Sequence, residues 1–162
     1  MSDYSIPKST RIIKLINALF EKMPEIDQFM ICKLNEVVKN AHEAYANYEF
    51  AEVFRTVLNF MTNELSSFYL DFTKDILYIE EANNLERRSI QTVFYECLNA
   101  LVLLLNPILP HTCEEVYSYM PKLSNDPISV YLKDMPQVQE YSDSEEVVAV
   151  YSQFMLLRSD VL

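Results

Sequence analysis

No glycine occurs anywhere in the 162 residues. Loops that cradle phosphate, of the GxGxxG or GxxxxGK(S/T) kind, are excluded, because close backbone approach to phosphate needs a residue without a Cβ. Tight type I′ and II′ hairpins lose their favoured residue as well, which argues against a hairpin-rich β fold. Cysteine is scarce: Cys32, Cys97 and Cys113 form no CxxC pair, and His42 and His111 complete no zinc-ligand spacing. An odd number of thiols without a secretory leader points to buried structural cysteine in a reducing compartment. The longest apolar run, Ala100 to Leu105, is far too short to cross a bilayer. The first residues, with Asp3 and no apolar segment, do not read as a signal peptide. A soluble, cytoplasmic chain with no membrane contact is the expectation. Positive charge is in deficit too. The net charge is −11, which opposes general affinity for nucleic acid. The deficit is uneven: residues 1–39 carry a balance of +1 and residues 40–162 one of −12. Any phosphate-facing surface must draw on the N-terminal part, or on local islands such as Arg87-Arg88.

What is present is helical periodicity. Ser9 and Thr10 are N-cap residues for a first helix with an apolar stripe from Ile12 to Phe20, interrupted at Pro24. A second helix reads Ile26, Met30, Leu34, Val37, Ala41, Ala44 and Tyr48 in three- and four-residue steps. A third begins near Phe50 and continues to about Tyr78, with a bend expected at Ser66-Ser67. Glu80 to Asn84 read as a loop, and Asn84 caps a fourth helix that is apolar nearly all round by residue 101, the mark of a largely buried element. Pro107 and Pro110 close it. Thr112 with Glu115, and Ser142 with Glu145, are capping-box patterns for a short fifth and a final helix. Residues 121–141 form an irregular connection, with Ser129 to Leu132 a short extended piece. The expected architecture is an all-α helical bundle, one domain over residues 1–162.

Four stretches together have a recognisable wording: AYANYEFAEVFRTVLNF (44–60), LSSFYLDFTKDILY (65–78), LERRSIQTVFYECL (85–98) and LLNPILPHTCEEVYSYMP (104–121). In this order and spacing they resemble the anticodon-binding region of class I isoleucyl-tRNA synthetases of the bacterial type, over about Asp27 to Val161. The resemblance implies an all-α bundle of the class I synthetase anticodon-binding type. It also implies recognition of the anticodon stem-loop of isoleucine tRNA, and partnership with the remaining domains of a parent isoleucine–tRNA ligase. The family joins isoleucine to tRNA with ATP, and uses magnesium and zinc. The HIGH- and KMSKS-type motifs and the cysteine-rich zinc module do not occur here, so the resemblance implies a fragment with no catalytic residue, no metal ligand and no cofactor of its own. The first 25 residues match poorly, and Phe29 and Met135 stand where the family often has tryptophan. The rival reading is an acidic helical scaffold that binds protein and not RNA.

Two basic groups are candidate tRNA-binding residues. Lys8, Arg11 and Lys14 recur at three-residue steps on one face of the first helix, where they meet stem phosphates or are plain solvated charge. Arg87, Arg88 and Gln91 open the fourth helix. The arginines can fork onto phosphate and the glutamine onto base edges. The structural alternative pairs either arginine with Asp71 or Asp75, offsetting the cost of cations at a helix N-terminus. Tyr45, Tyr48, Phe50, Phe68, Tyr69 and Tyr78 offer faces for base stacking, but their helical spacing favours core packing. Glu114 and Glu115, as helix neighbours, face different ways and make no acid/base pair.

Overall fold

The structure, a computed structural model, describes residues 20–122, 126–139, 141 and 144–161, with side chains of the last helix from residue 145 to 157. Its long elements are all helical, and no strand occurs among the described residues. Helix α1 (Glu25–Ala46) leads to α2 (Phe50–Asn59), a π-helical stretch (Phe60–Leu70) and α3 (Asp71–Ile79). Then come α4 (Leu85–Leu105), α5 (Pro110–Tyr119), a 3₁₀ turn (Val130–Leu132) and α6 (Ser144–Val161). The first helix expected from Ser9 lies, as far as residue 19, outside the described residues, as do Ser142 and the candidates Lys8, Arg11 and Lys14.

Helix α1 is the hub, packed against α2, the π stretch, α4 and α6. It starts directly after Pro24, whose carbonyl accepts from Asp27 N at 2.9 Å and Gln28 N at 3.0 Å. Its end is a Schellman turn: Glu49 N donates to Ala44 O at 2.8 Å and Tyr48 N to Tyr45 O at 3.1 Å. That turn needs a residue with positive φ, and in a chain without glycine Tyr48 takes it at φ 60°. From Phe50 to Ile79 the helix never breaks, since both junctions of the π stretch keep right-handed helical angles. The bend expected at Ser66-Ser67 is instead a widening of the helix. There the Ser67 hydroxyl donates to the Thr62 carbonyl five residues back, at 2.7 Å.

Helix α4 runs between two cores. Val93, Cys97, Ala100, Leu101 and Leu104 join the main one with α1, α2 and the π stretch. Val102 and Leu103 face a smaller one built by Cys113, Tyr117, Met120 and Val130. A helix flanked on both sides must be apolar all round, which explains the pattern seen past residue 100. Two local expectations are corrected. Helix α5 starts at Pro110, with no side-chain cap. Proline suits the first helical position because its missing N–H would be unpaired there anyway, so Thr112 is already inside the helix. The piece Ser129 to Leu132 is extended only at Ser129 and then turns as a 3₁₀ helix. Glu114 draws it in, accepting from Ser129 Oγ at 2.8 Å and Val130 N at 3.1 Å.

A carboxyl group sits inside the main core. Asp27, on the first turn of α1, is fully buried. Its Oδ1 accepts from Tyr69 Oη of the π stretch at 2.7 Å, and its Oδ2 accepts from Ser89 Oγ of α4. Three elements far apart in sequence thus meet at one carboxyl. Burial raises the carboxyl above its ordinary value of 3.8, against the lowering effect of the Ser89 and Tyr69 bonds, and nearby Glu86 raises it further. Asp27→Ala leaves both hydroxyls without their acceptor and should cost about 2–4 kcal/mol of unfolding free energy in urea. Asp27→Asn keeps an acceptor and should cost about 1 kcal/mol or less. Equal losses for the two variants would contradict the account. The raised carboxyl also fixes a sign. Its stabilising contribution is complete below pH 3.8 and is lost as pH rises through the higher folded value. Between acid and neutral pH, the stability of the native chain relative to Asp27→Asn should therefore fall as pH rises; a difference that grows would contradict it.

Candidate nucleic-acid interface

The start of α4 is built by its cap. Asn84 Oδ1 accepts from Glu86 N at 2.8 Å and Arg87 N at 3.2 Å, as the sequence leads one to expect. The loop before it is tied across itself: Asn84 Nδ2 donates to Glu80 Oε2 at 2.8 Å, and Arg87 Nη1 donates to Glu80 O at 2.8 Å. The next residues divide by helical phase. Ser89 and Ile90 point inward, to Asp27 and the core. Arg88 and Gln91 are exposed and Arg87 is half-buried. Arg88 and Gln91 are one turn apart, so they share the outer face of α4.

The ion pair of Arg87 or Arg88 with Asp71 or Asp75 is not formed among the described residues. Asp71 accepts from Lys74 at 2.7 Å instead, one turn along its own helix. Arg87 has turned to the loop carbonyl of Glu80, because the cap at Asn84 folds that loop back over the first turn. Its Nε, buried, faces no acceptor of the protein. The first turn of α4 therefore carries two guanidinium groups whose cost at a helix N-terminus is not offset by a carboxylate partner within the described part. Acidic side chains lie close by all the same: Glu80, Glu81 and Glu86 belong to the same tip.

The aromatic candidates separate. Phe68 and Tyr69 are core residues, and Tyr45 is half-buried with its hydroxyl on Leu104 O at 2.5 Å, as the spacing argued. Burial pushes Tyr45 up to about 12. Tyr48 and Tyr78 depart from the expectation, being 80% and 86% exposed, and Phe50 is 49% exposed. Tyr48 is held out by its left-handed backbone at the end of α1. Tyr78 is on the last turn of α3, half a helical turn away from the buried Thr73 face.

All three thiols are buried, and burial pushes Cys32 up to about 11 and Cys97 up to about 12, so neither is a ready nucleophile. Among the described residues no three His, Cys, Asp or Glu side chains gather in a group that would hold a metal ion. Glu114 and Glu115 diverge as expected, Glu114 being bound to the 3₁₀ turn and Glu115 exposed. Sequence reasoning missed Asp27, which reads as an ordinary acidic residue of a helix first turn. It also missed Lys133, which ties the irregular connection to α4 by donating to Asn99 Oδ1 at 2.9 Å and pairing with Asp126 at 3.4 Å. His42, in turn, holds the Pro136 carbonyl at 2.7 Å, and Asn35 grips the backbone of Gln139 at both its N–H and its carbonyl. No periodicity marks such residues.

Known proteins bear on this arrangement. The family model described as the anticodon-binding domain of tRNA ligase matches residues 27–161. An isoleucine–tRNA ligase of Bacillus cytotoxicus is 50% identical over 141 residues, covering 87% of this chain and 15% of that protein. Isoleucine–tRNA ligases of Bacillus cereus and Bacillus anthracis are 49% identical over the same coverage. The chain thus spans about 15% of the length of the curated relatives it matches. With its all-helical fold and the family match over most of its length, the chain belongs to the anticodon-binding domain family of tRNA ligases.

Proposed function

We propose that this chain binds the anticodon stem-loop of isoleucine tRNA as one part of an isoleucine–tRNA ligase. The observation that carries the reading is the outer face of α4, where Arg88 and Gln91 stand exposed on a capped and rigidly packed helix start. A guanidinium suits a phosphate and a glutamine amide suits a base edge, and one turn of helix separates them. Arg87 adds charge beside them, and the basic residues Lys8, Arg11 and Lys14 are the second candidate surface. The ligase reaction itself, with ATP, magnesium and zinc, is assigned to the parts of the enzyme outside this chain, so the chain alone should not activate isoleucine. The same reading puts the protein in the cytoplasm; among the described residues no helix is long and apolar enough to cross a membrane.

The net charge of −11 favours the rival reading, an acidic scaffold for protein partners. It also sets the strength of RNA binding. Counterion release supplies little affinity to so acidic a chain, and a dissociation constant of about 10⁻⁴ M or weaker at physiological salt is expected. Titrating the chain with the isoleucine anticodon stem-loop over a range of salt tests the reading. Arg88→Ala should weaken binding and lower the salt slope by about one phosphate contact. Unchanged affinity and slope for Arg88→Ala, and likewise for a joint Arg11→Ala and Lys14→Ala variant, would remove both basic surfaces and leave the scaffold.

A further inference from the structure

We infer that the cavity between α1 and the π stretch is a site for one ammonium or guanidinium group, bound by the carboxyl of Glu64. The inference stands apart from the RNA reading above. The cavity, about 230 Å³, is walled by Lys33, Glu36 and Asn40 of α1 and by Thr56, Asn59 and Glu64 across from them. Lys33, Glu36 and Asn40 follow one another at three and four residues, so they share one face of α1. Opposite, Asn59 and Glu64 are five residues apart. In an α-helix that spacing turns two side chains well away from each other; the wider turn of the π stretch keeps both on the cavity. Long π stretches are rare, and such widenings are frequent at functional sites.

The occupant follows from the charges. Oε2 of Glu64 is buried and has no hydrogen-bond partner. The lysine of the cavity is already taken, since Lys33 Nζ pairs with Glu36 at 2.9 Å. Two carboxylates and one ammonium leave a single negative charge, and it rests on the buried oxygen. Burial raises the Glu64 carboxyl above its ordinary value; its own backbone N–H and Lys33 draw it down, and Glu36 raises it again. A buried carboxylate is tolerated when a proton or a cation with N–H groups answers it. An N–H cation suits this cavity better than a metal ion. Among the described residues no three metal-ligating side chains gather, whereas the side-chain oxygens of Asn40, Thr56 and Asn59 can accept the N–H groups that Glu64 leaves over. Such a group is carried by a free amine or guanidine, or by a lysine or arginine side chain of another polypeptide.

The test titrates the whole chain, isotope-labelled, and follows the Glu64 carboxyl carbon and the backbone amides of Asn40 and Asn59 by NMR. Methylammonium and guanidinium, at millimolar concentrations far below denaturing ones, stand for the free solute. N-acetyl-arginine amide stands for a side chain of another polypeptide, and tetramethylammonium has the charge without an N–H. The first two should bind saturably and shift all three signals, and tetramethylammonium should shift none. Capped arginine that binds as well names a polypeptide side chain as a source, and its failure leaves the free solute; either result agrees with the site. Affinity should fall in acid as Glu64 takes up a proton. Glu64→Gln should weaken binding by about tenfold or more while circular dichroism stays helical. Glu36→Gln is the independent check: Lys33, released, is left to answer Glu64, and binding should fall with Glu64 itself in place. Undiminished binding by Glu64→Gln, equal shifts with tetramethylammonium, or no saturable shift at Glu64 in the native chain would leave water alone in the cavity and overturn the site.

Discussion

A single buried carboxyl organises this bundle. Asp27 receives one hydroxyl from the π stretch and one from α4, and lies in the first turn of the helix against which both pack. Desolvating a carboxyl is expensive, and the cost is tolerable only when its oxygens are occupied. The geometry therefore has to bring Tyr69 and Ser89 to the same spot. Tyr69 can reach because the helix widens through Phe60–Leu70, and it is anchored further by Thr73, whose hydroxyl bonds to the Tyr69 carbonyl at 2.8 Å. Ser89 can reach because Asn84 starts α4 five residues earlier. Anything that moves Asp27 moves the start of α4, and with it Arg88 and Gln91.

The outer face of that helix start is then a rigid platform. Side chains that recognise a loop are most useful when their backbone does not have to be ordered on binding. Here the ordering is done in advance by the cap at Asn84, by the tie from Arg87 to Glu80 and by the inward bond of Ser89. The other end of α4 is a packing element. Buried between two cores, it serves to join α5 and the irregular connection to the rest. The division fits a chain that belongs to an anticodon-binding family yet carries a strongly negative charge. On the proposed reading, contacts with RNA are confined to small places, where shape and local hydrogen bonding have to outweigh long-range repulsion.

Much of the fold was legible from residue order alone. Helix α4 and the loop before it were readable because Asn84, Pro107 and Pro110 punctuate a strongly periodic run. The absence of glycine excluded β hairpins, and the described residues contain none. The failures have physical causes. Ser66-Ser67 looked like a bend because serine competes for backbone hydrogen bonds, but the Ser67 hydroxyl donates to the Thr62 carbonyl within a wider helical turn that does not break. Thr112 looked like a cap, and Pro110 pre-empted it. The Arg–Asp pair was expected because cations at a helix N-terminus carry a cost that an acidic partner would offset, while the cap and the loop carbonyl decided where Arg87 went. Exposure of Tyr78 was invisible because a tyrosine in a periodic run reads as core whichever way its turn faces.

The most direct test of the account is the footprint of the stem-loop on the chain in solution, mapped by amide chemical shifts on the labelled protein. The account predicts that shifts among the residues described here gather on the loop 80–84 and the outer face of α4 as far as Gln91. It also predicts that Ser89 and its neighbours remain protected from solvent exchange in both states. A footprint centred instead on residues 133–139 and α6, with no change at Arg88 or Gln91, would contradict it.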